Sequence, residues 1–227
     1  MIGAPLFAMA NRITIFSGHY GSGKTNIAVN YALQMKRSGV DVSICDLDIV
    51  NPYFRTKDSM DELNRFGIAL ISSPYANTNV DIPSLPQEMY AIVDDRSKNY
   101  VIDLGGDDRG ALAMGRLTPR ILEENDYAML MVVNLYRPLT GDVDSLCEIK
   151  AEIESASGIS FTGVINNSNL GDFTEPGHIL VSHERVLQFC EKVGLPLVMT
   201  TVRDDLVSSL KDQINQLFPL KLQAKYY

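Results

Sequence analysis

The stretch Gly18-His-Tyr-Gly-Ser-Gly-Lys24-Thr25 decides the fold, because it is a complete G-x-x-x-x-G-K-[ST] motif. The apolar run RITIFS precedes it, and an amphipathic stretch that starts at Lys24 follows it. Glycines in such a loop let backbone N–H groups approach phosphate oxygens without a clash from a Cβ atom. The strand, loop and helix together therefore predict a phosphate-binding loop, which we call the phosphate loop (residues 18–25).

The side chains of the phosphate loop predict how a nucleotide would bind. Lys24 can reach the β- and γ-phosphates, and the Thr25 hydroxyl can bind Mg²⁺. The start of the following helix adds unpaired N–H donors and a dipole that favours negative charge. The residues that we expect to contact the nucleotide are Gly18, His19, Tyr20, Gly21, Ser22, Gly23, Lys24, Thr25 and Asn26.

Short apolar runs alternate with longer amphipathic stretches along the rest of the chain. The apolar runs predict strands at 12–17, 42–46, 67–71, 100–104, 127–133, 161–165 and 197–201. The amphipathic stretches predict helices at 24–37, 87–95, 112–124, 143–155, 179–193 and 205–217. This alternation predicts a single α/β domain with a mostly parallel central sheet and helices on both faces. We place the domain at 12–218, between an N-terminal arm (1–11) and a C-terminal tail (219–227).

Composition excludes several classes of protein. Hydrophobic residues make up 45% of the 227 residues and charged residues 21%, which is typical of a globular protein and not of a disordered one. A net charge of −8 disfavours binding to nucleic acids. No apolar run is long enough to cross a bilayer. The three cysteines form no C-x-x-C pair, which favours a reducing cytoplasm.

Acidic residues follow two of the predicted strands. In Tyr100-Val-Ile-Asp103-Leu-Gly-Gly106, we expect Asp103 to hold Mg²⁺ through a water molecule and the Gly106 amide to contact the γ-phosphate. Asp46 and Asp48 follow the second strand, and side chains two residues apart on a strand point the same way. One of this pair could support the Mg²⁺ site while the other orients the attacking water, and their spacing does not decide between them.

These motifs resemble those of the MinD/ParA/CobQ-type ATPases, the deviant P-loop branch of the SIMIBI-class nucleotide-binding proteins. The resemblance extends over residues 12–217, because the phosphate loop, the D-L-D and the D-x-x-G occur in the family order. It continues in Asn134-Leu-Tyr-Arg137-Pro138, where the family has a loop that contains Asn. Asn166, or its neighbour Asn167, matches the asparagine with which the family contacts adenine.

The resemblance implies a P-loop NTPase that binds ATP with Mg²⁺, hydrolyses it slowly and often forms a nucleotide-dependent homodimer. By the family pattern, Asp48 orients the attacking water beside Lys24, while Thr25, Asp46 and Asp103 lie nearer the metal. The family's signature lysine near the start of the loop is replaced here by His19. His19 either substitutes for that lysine or only shapes the loop.

Two functions stay open at this point. The first is an ATPase that acts as a nucleotide-dependent switch or assembly factor with a protein partner. The second is an ATP-dependent kinase or synthetase of the dethiobiotin-synthetase kind, in which 72–86 and 134–138 would shape a pocket for a small-molecule substrate. A GTPase is disfavoured because the sequence has no N-K-x-D. The C-terminal tail has Pro219 and only two lysines, so stable membrane binding is also disfavoured.

Overall fold

An eight-stranded sheet forms the centre of the protein in the computed structural model, which describes residues 11–48, 57–72, 87–106 and 108–221. Its strands are β1 (Ile13–Ser17), β2 (Val42–Leu47), β3 (Ala69–Ser72), β4 (Asn99–Leu104), β5 (Tyr127–Val133), β6 (Gly163–Asn166), β7 (Leu197–Arg203) and β8 (Leu217–Leu220). Every neighbouring pair is parallel, in the order β3-β2-β4-β1-β5-β6-β7-β8. All strands therefore end at the same edge, with β1 between β4 and β5.

Helices cover both faces of this sheet. They are α1 (Lys24–Arg37), α2 (Lys57–Arg65), α3 (Ala91–Asp94), α4 (Asp108–Gly115), α5 (Thr118–Glu124), α6 (Val143–Ser157), α7 (Pro176–Val193) and α8 (Val207–Leu210). On one face, Ile15 shares an apolar cluster with Met114 of α4 and Phe189 of α7. On the other, Phe16 packs in a second cluster with Ile27 of α1. The predicted α/β architecture is confirmed.

The apolar runs located the strands well. Each of the seven predicted strands is present, and its ends fall within two residues of the prediction. Three of them, β1, β2 and β6, are buried along their whole length, as expected for strands that are covered on both faces. The predicted helix at 24–37 is also confirmed without change.

The predicted helix at 205–217 is wrong. The chain forms a 3₁₀ turn at Asp204–Leu206 and the short α8, and then enters β8, which pairs with β7. Leu210, Ile214 and Leu217 have helical spacing, yet they pack into one small cluster from the end of α8, the loop after it and β8. The edge position of β8 tolerates Pro219, whose missing N–H would break a hydrogen bond in a central strand.

Other helix predictions need smaller corrections. The stretch 112–124 is two helices, α4 and α5, and Pro119 stands in the first turn of α5, where a proline fits. The stretch 87–95 is a 3₁₀ turn at Gln87–Tyr90 followed by α3. Helix α2 was not predicted. Most of the arm (1–10), most of the 72–86 loop (73–86) and the end of the tail (222–227) lie outside the described residues.

Candidate functional site

The phosphate loop leaves β1 in the middle of the sheet and enters α1. Gly23, directly before the helix, has a φ of +91°, and a Cβ atom there would lie 2.2 Å from Nδ2 of Asn167. Both the conformation and the close contact require glycine. No side chain caps the N-terminus of α1, and its first turn has no acidic residue. Its N–H groups are therefore not occupied by a side-chain cap, as an anion-binding helix start requires.

Lys24 and Asp48 meet at the start of α1. The Lys24 side chain is only 5% exposed, and its Nζ lies 3.9 Å from Oδ2 of Asp48. Asp48 follows β2, and its backbone N–H donates to Oδ1 of Asp46 at 3.0 Å. This bond fixes the turn that carries Asp48 towards Lys24. The structure thus brings together the two residues predicted to act in hydrolysis.

Thr25 and Asp103 form the second contact across the loop. The Thr25 hydroxyl donates to Oδ2 of Asp103 at 2.5 Å, while Oδ1 of Asp103 is buried without a hydrogen-bond partner among the described residues. Burial raises the pKa of Asp103 to about 6, although Lys24 and the Thr25 hydroxyl act in the opposite direction. An unpartnered, buried carboxylate oxygen of this kind is suited to a cation.

These residues fit Mg²⁺. Asp46 and Asp103 are register partners on the neighbouring strands β2 and β4, so their side chains stand on the same face beside Thr25. All three offer the oxygen ligands that Mg²⁺ prefers. Within the described ranges, no group of three His, Cys, Asp or Glu side chains could hold a metal ion by itself. That matches the usual Mg²⁺ site of nucleotide enzymes, where phosphates and waters complete the coordination shell.

Gly106 lies directly against the phosphate loop. A Cβ atom at Gly106 would be 2.2 Å from the carbonyl oxygen of Gly18, so only glycine allows the two backbones to come this close. The segment after Asp103 is thereby held where its amide can face a bound phosphate. Asp107, which follows, lies outside the described residues.

His19 and Tyr20 form the outer side of the loop. One ring nitrogen of His19 lies 3.0 Å from the carbonyl oxygen of Tyr20, and the Tyr20 side chain is 67% exposed. The His19 contact is local to the loop. Both interpretations of His19, as a substitute for lysine or as a residue that shapes the loop, therefore stay open.

The two asparagines expected near adenine have polar contacts inside the protein. Asn166 is fully buried; its Nδ2 donates to the Ser182 hydroxyl at 3.1 Å, and its Oδ1 accepts from the N–H of Ser168. Asn167 donates from Nδ2 to the carbonyl of Ser22 at 2.6 Å. The adenine contact stays a prediction, and the structure adds a bond from Asn167 to the phosphate loop.

Arg137 belongs to the segment 134–138, which resembles the family and would line a substrate pocket in the kinase or synthetase alternative; the sequence predicts no contact between it and the phosphate loop. Its Nε donates to the carbonyl of Gly21 at 3.0 Å, from a turn that follows β5. The sequence held only an indirect signal for this contact, namely a polar turn after a buried strand. Parallel strands end at one edge, so such a turn lies near the phosphate loop.

Unpartnered polar atoms mark the same region. In the part of the chain that the structure describes, four buried side-chain atoms lack a hydrogen-bond partner: Ser17 Oγ, Ser22 Oγ, Asp103 Oδ1 and Asn134 Nδ2. Ser17 ends β1, Ser22 lies in the phosphate loop, Asp103 is in β4 and Asn134 directly follows β5. Buried polar groups normally have partners, so this concentration indicates a site for a polar ligand.

The family comparison agrees with this geometry. Residues 8–90 match a model of the ParA family, described as NUBPL iron-transfer P-loop NTPase. Over these residues the chain is similar to that family, as the motifs predicted. The chain matches no curated protein.

Solved structures of the signal recognition particle receptor FtsY are similar to this chain in fold. Chloroplast FtsY from Physcomitrella patens gives a TM-score of 0.56 at 17% identity over 88% of this chain and 60% of its own. FtsY from Thermotoga maritima gives 0.54 at 18% identity over 84% and 61%. FtsY from Elizabethkingia anophelis, in complex with GDP, gives 0.52 at 15% identity over 84% and 57%. The chain thus spans about three fifths of their length, and the likeness shows the fold alone.

The helices α1 to α8 all lie among the described residues. None of those helices is both long and apolar enough to cross a bilayer.

Proposed function

We propose that this chain is a P-loop NTPase that binds Mg-ATP, hydrolyses it slowly and acts as a nucleotide-dependent switch or assembly factor. The observation that carries the proposal is the double contact across the phosphate loop, Lys24 with Asp48 and Thr25 with Asp103. The first pair joins a phosphate-binding cation to a carboxylate that can orient water. The second joins two candidate metal ligands.

The geometry supports a division of labour among these residues. A triphosphate in the loop would attract Lys24 to its β- and γ-oxygens, since phosphate competes with the 3.9 Å contact to Asp48. Asp48 is then available to accept a hydrogen bond from the attacking water. Thr25, Asp46 and Asp103 would hold Mg²⁺, which neutralises charge that develops on the phosphates. Gly106 would donate its amide to the γ-phosphate.

ATP is our proposed nucleotide because the sequence has no N-K-x-D guanine signature. One of the FtsY structures is a complex with GDP, and at 15% identity that likeness does not extend to base preference. Binding of ATP and GTP therefore has to be compared directly.

Exposed apolar side chains support a protein partner or a second copy of the chain. Tyr20, Leu139 and Phe173 are 67%, 63% and 83% exposed. They lie in loops that follow β1, β5 and β6, at the edge of the sheet that carries the phosphate loop. Large exposed apolar residues next to a ligand site are typical of interaction surfaces. A nucleotide-dependent homodimer in the cytoplasm is our proposal for this surface.

Hydrolysis and native mass, measured together, test the proposed function. We expect slow Mg²⁺-dependent ATP hydrolysis by the purified protein alone, and a mass or partner set that differs between ATP and ADP. A kinase or synthetase would instead hydrolyse almost no ATP without its small-molecule substrate and would keep one mass. Absence of both hydrolysis and a mass change would contradict the switch.

A further inference from the structure

Two consecutive carbonyl groups of the phosphate loop are held by side chains from other strands. The Gly21 carbonyl accepts from Nε of Arg137 at 3.0 Å, and the Ser22 carbonyl accepts from Nδ2 of Asn167 at 2.6 Å. Arg137 lies in the turn after β5, and Asn167 directly follows β6. Both side chains contact the loop through its backbone carbonyl groups.

Asn167 is itself fixed on three sides. The Thr201 hydroxyl of β7 donates to its Oδ1 at 2.5 Å, and its backbone N–H donates to the Val133 carbonyl at 2.7 Å. The side chain is buried, and its Nδ2 occupies the space that a Cβ atom at Gly23 would need. The amide is therefore fitted to the loop and is not a mobile surface group.

Arg137 is presented by an ordered turn, residues 134–140. Its N–H donates to the Asn134 carbonyl at 3.3 Å, and its carbonyl accepts from the N–H of Thr140 at 3.1 Å. The turn is joined to the segment after β6, because the Leu135 N–H donates to the Ser168 hydroxyl at 3.0 Å. Although the Arg137 side chain is exposed, its backbone is thus anchored to the segment that carries Asn167.

We propose that Arg137 and Asn167 form a clamp that sets the conformation of the phosphate loop for polyphosphate, a proposal that rests on the proposed function. In a planar trans peptide, the carbonyl and the following N–H point in opposite directions. Asn167 holds the Ser22 carbonyl outward and so turns the Gly23 N–H to the inner side of the loop. Arg137 holds the Gly21 carbonyl, whose peptide N–H closes a turn on the His19 carbonyl at 3.1 Å.

The clamp makes Arg137 and Asn167 positioning residues for the phosphate chain, independent of the base. A clamped loop needs less ordering when an anion binds, so its affinity for any polyphosphate is higher. Loss of either side chain should lower the affinity for Mg-ATP and the affinity for inorganic tripolyphosphate by the same factor. Loss of a residue that contacts adenine would instead lower the affinity for ATP and leave the affinity for tripolyphosphate unchanged.

Binding measurements on Asn167→Ala and Arg137→Ala, with Mg-ATP and with Mg-tripolyphosphate, test the clamp. We expect each variant to lose about tenfold in affinity for both ligands, as for removal of one hydrogen bond. The ratio of ATP to GTP affinity should stay as in the wild type. Thr201→Val removes only the hydroxyl that orients Asn167, so it should lower both affinities to a smaller degree. This variant tests the clamp even if Asn167→Ala does not fold.

Two matched controls separate the clamp from general loss of packing. Asn99 also donates from its Nδ2 to a backbone carbonyl, that of Asp41, and Arg185 is also exposed and donates to the carbonyl of Gly141. Asn99→Ala and Arg185→Ala should change both affinities less than about twofold, because neither residue contacts the phosphate loop.

The outcomes that contradict the clamp are distinct. Unchanged tripolyphosphate affinity in both clamp variants would overturn it, and a loss confined to ATP in Asn167→Ala would assign that residue to the base. A wild-type protein that binds neither ligand would refute the proposed function itself.

Discussion

Asp103 combines a buried carboxylate with a predicted metal site. Burial raises its pKa from 3.8 to about 6, so without Mg²⁺ the ionised form costs stability above that pH, and the cost disappears as the pH falls below it. Asp103→Asn should therefore stabilise the ligand-free protein at pH 7.5 by up to about 3 kcal/mol, at about 1.4 kcal/mol per pKa unit. Urea unfolding at pH 7.5 and 5 measures this. The difference between the two proteins should shrink at pH 5, and parallel pH profiles would contradict the argument.

The same substitution should have the opposite effect on ligand binding. Asp103→Asn removes a charge from the predicted Mg²⁺ site while it keeps an oxygen that can accept from Thr25. We expect Mg²⁺ to strengthen ATP binding in the wild type and to do so much less in the variant. Titrations with ATP in the presence of Mg²⁺ or of EDTA measure this difference. An equal effect of Mg²⁺ on both proteins would remove Asp103 from the metal site.

Asp48 has a different predicted role from Asp103. Asp48→Asn should keep Mg-ATP binding but lower single-turnover hydrolysis by at least about a hundredfold, the range expected when a group that orients or accepts a proton is lost. Its amide still fits the space beside Lys24. If hydrolysis proceeds at the wild-type rate, Asp48 does not orient the attacking water.

At the scale of elements, Arg12 connects the start of β1 to α5 and to the segment before β4. Its Nη2 donates to Oε2 of Glu124 at 2.6 Å and to the Ile92 carbonyl at 2.8 Å, and its Nη1 donates to the Lys98 carbonyl at 3.3 Å. The Arg12 guanidinium lowers the pKa of Glu124. This ion pair fixes the strand that leads into the phosphate loop.

The Arg12–Glu124 pair makes a prediction about acid stability. Glu124→Gln should cost about 1–3 kcal/mol at pH 7, because a charged hydrogen bond in a nearly buried position is lost. The lowered pKa means that the wild type holds this stability above the ordinary value of 4.5 and loses it as the pH falls through the folded-state value. Thermal unfolding between pH 7 and 3.5 measures it. The difference in stability between the wild type and Glu124→Gln should disappear at the acidic end of this range. A difference that stays constant with pH would show that the charge of Glu124 does not contribute to stability.

The sequence predicted the strands because each central strand is a continuous apolar run. It could not predict β8, since the helical spacing of Leu210, Ile214 and Leu217 is the same whether or not the chain later pairs with β7. Helix α2 was missed because its sequence, KDSMDELNR, is short and has only two apolar residues, Met60 and Leu63. Local patterns therefore located the elements that are apolar throughout. They failed where pairing with a distant strand determines the secondary structure.

The site shows the same limit. Motif order alone brought Lys24, Thr25 and Asp103 together, because parallel strands end at one edge. The bond from Asn167 to Ser22 spans 145 residues, and no local pattern encodes it. A contact of this kind depends on the register of β6 against β5, which only the folded chain defines.

At the scale of the whole molecule, the phosphate loop, two acidic turns and exposed apolar loops all lie at one edge of a single sheet. β1 stands at the centre of the strand order, and the acidic turns lie on its β4 side while the Arg137 turn lies on its β5 side. A nucleotide in the loop would therefore touch segments from both halves of the sheet. We therefore expect a bound nucleotide to change the surface that a partner would contact.

Titration of Mg-ATP into the wild type, Lys24→Ala and Lys36→Ala tests the central claim most directly. Lys36 is a matched control, because it also pairs with an aspartate, Asp41 at 2.8 Å, but lies at the far end of α1. We predict that Lys24→Ala loses roughly ten- to a hundredfold in affinity, as expected for charged hydrogen bonds to phosphate, while Lys36→Ala binds like the wild type. If folded Lys24→Ala binds Mg-ATP as tightly as the wild type, the phosphate loop is not the nucleotide site.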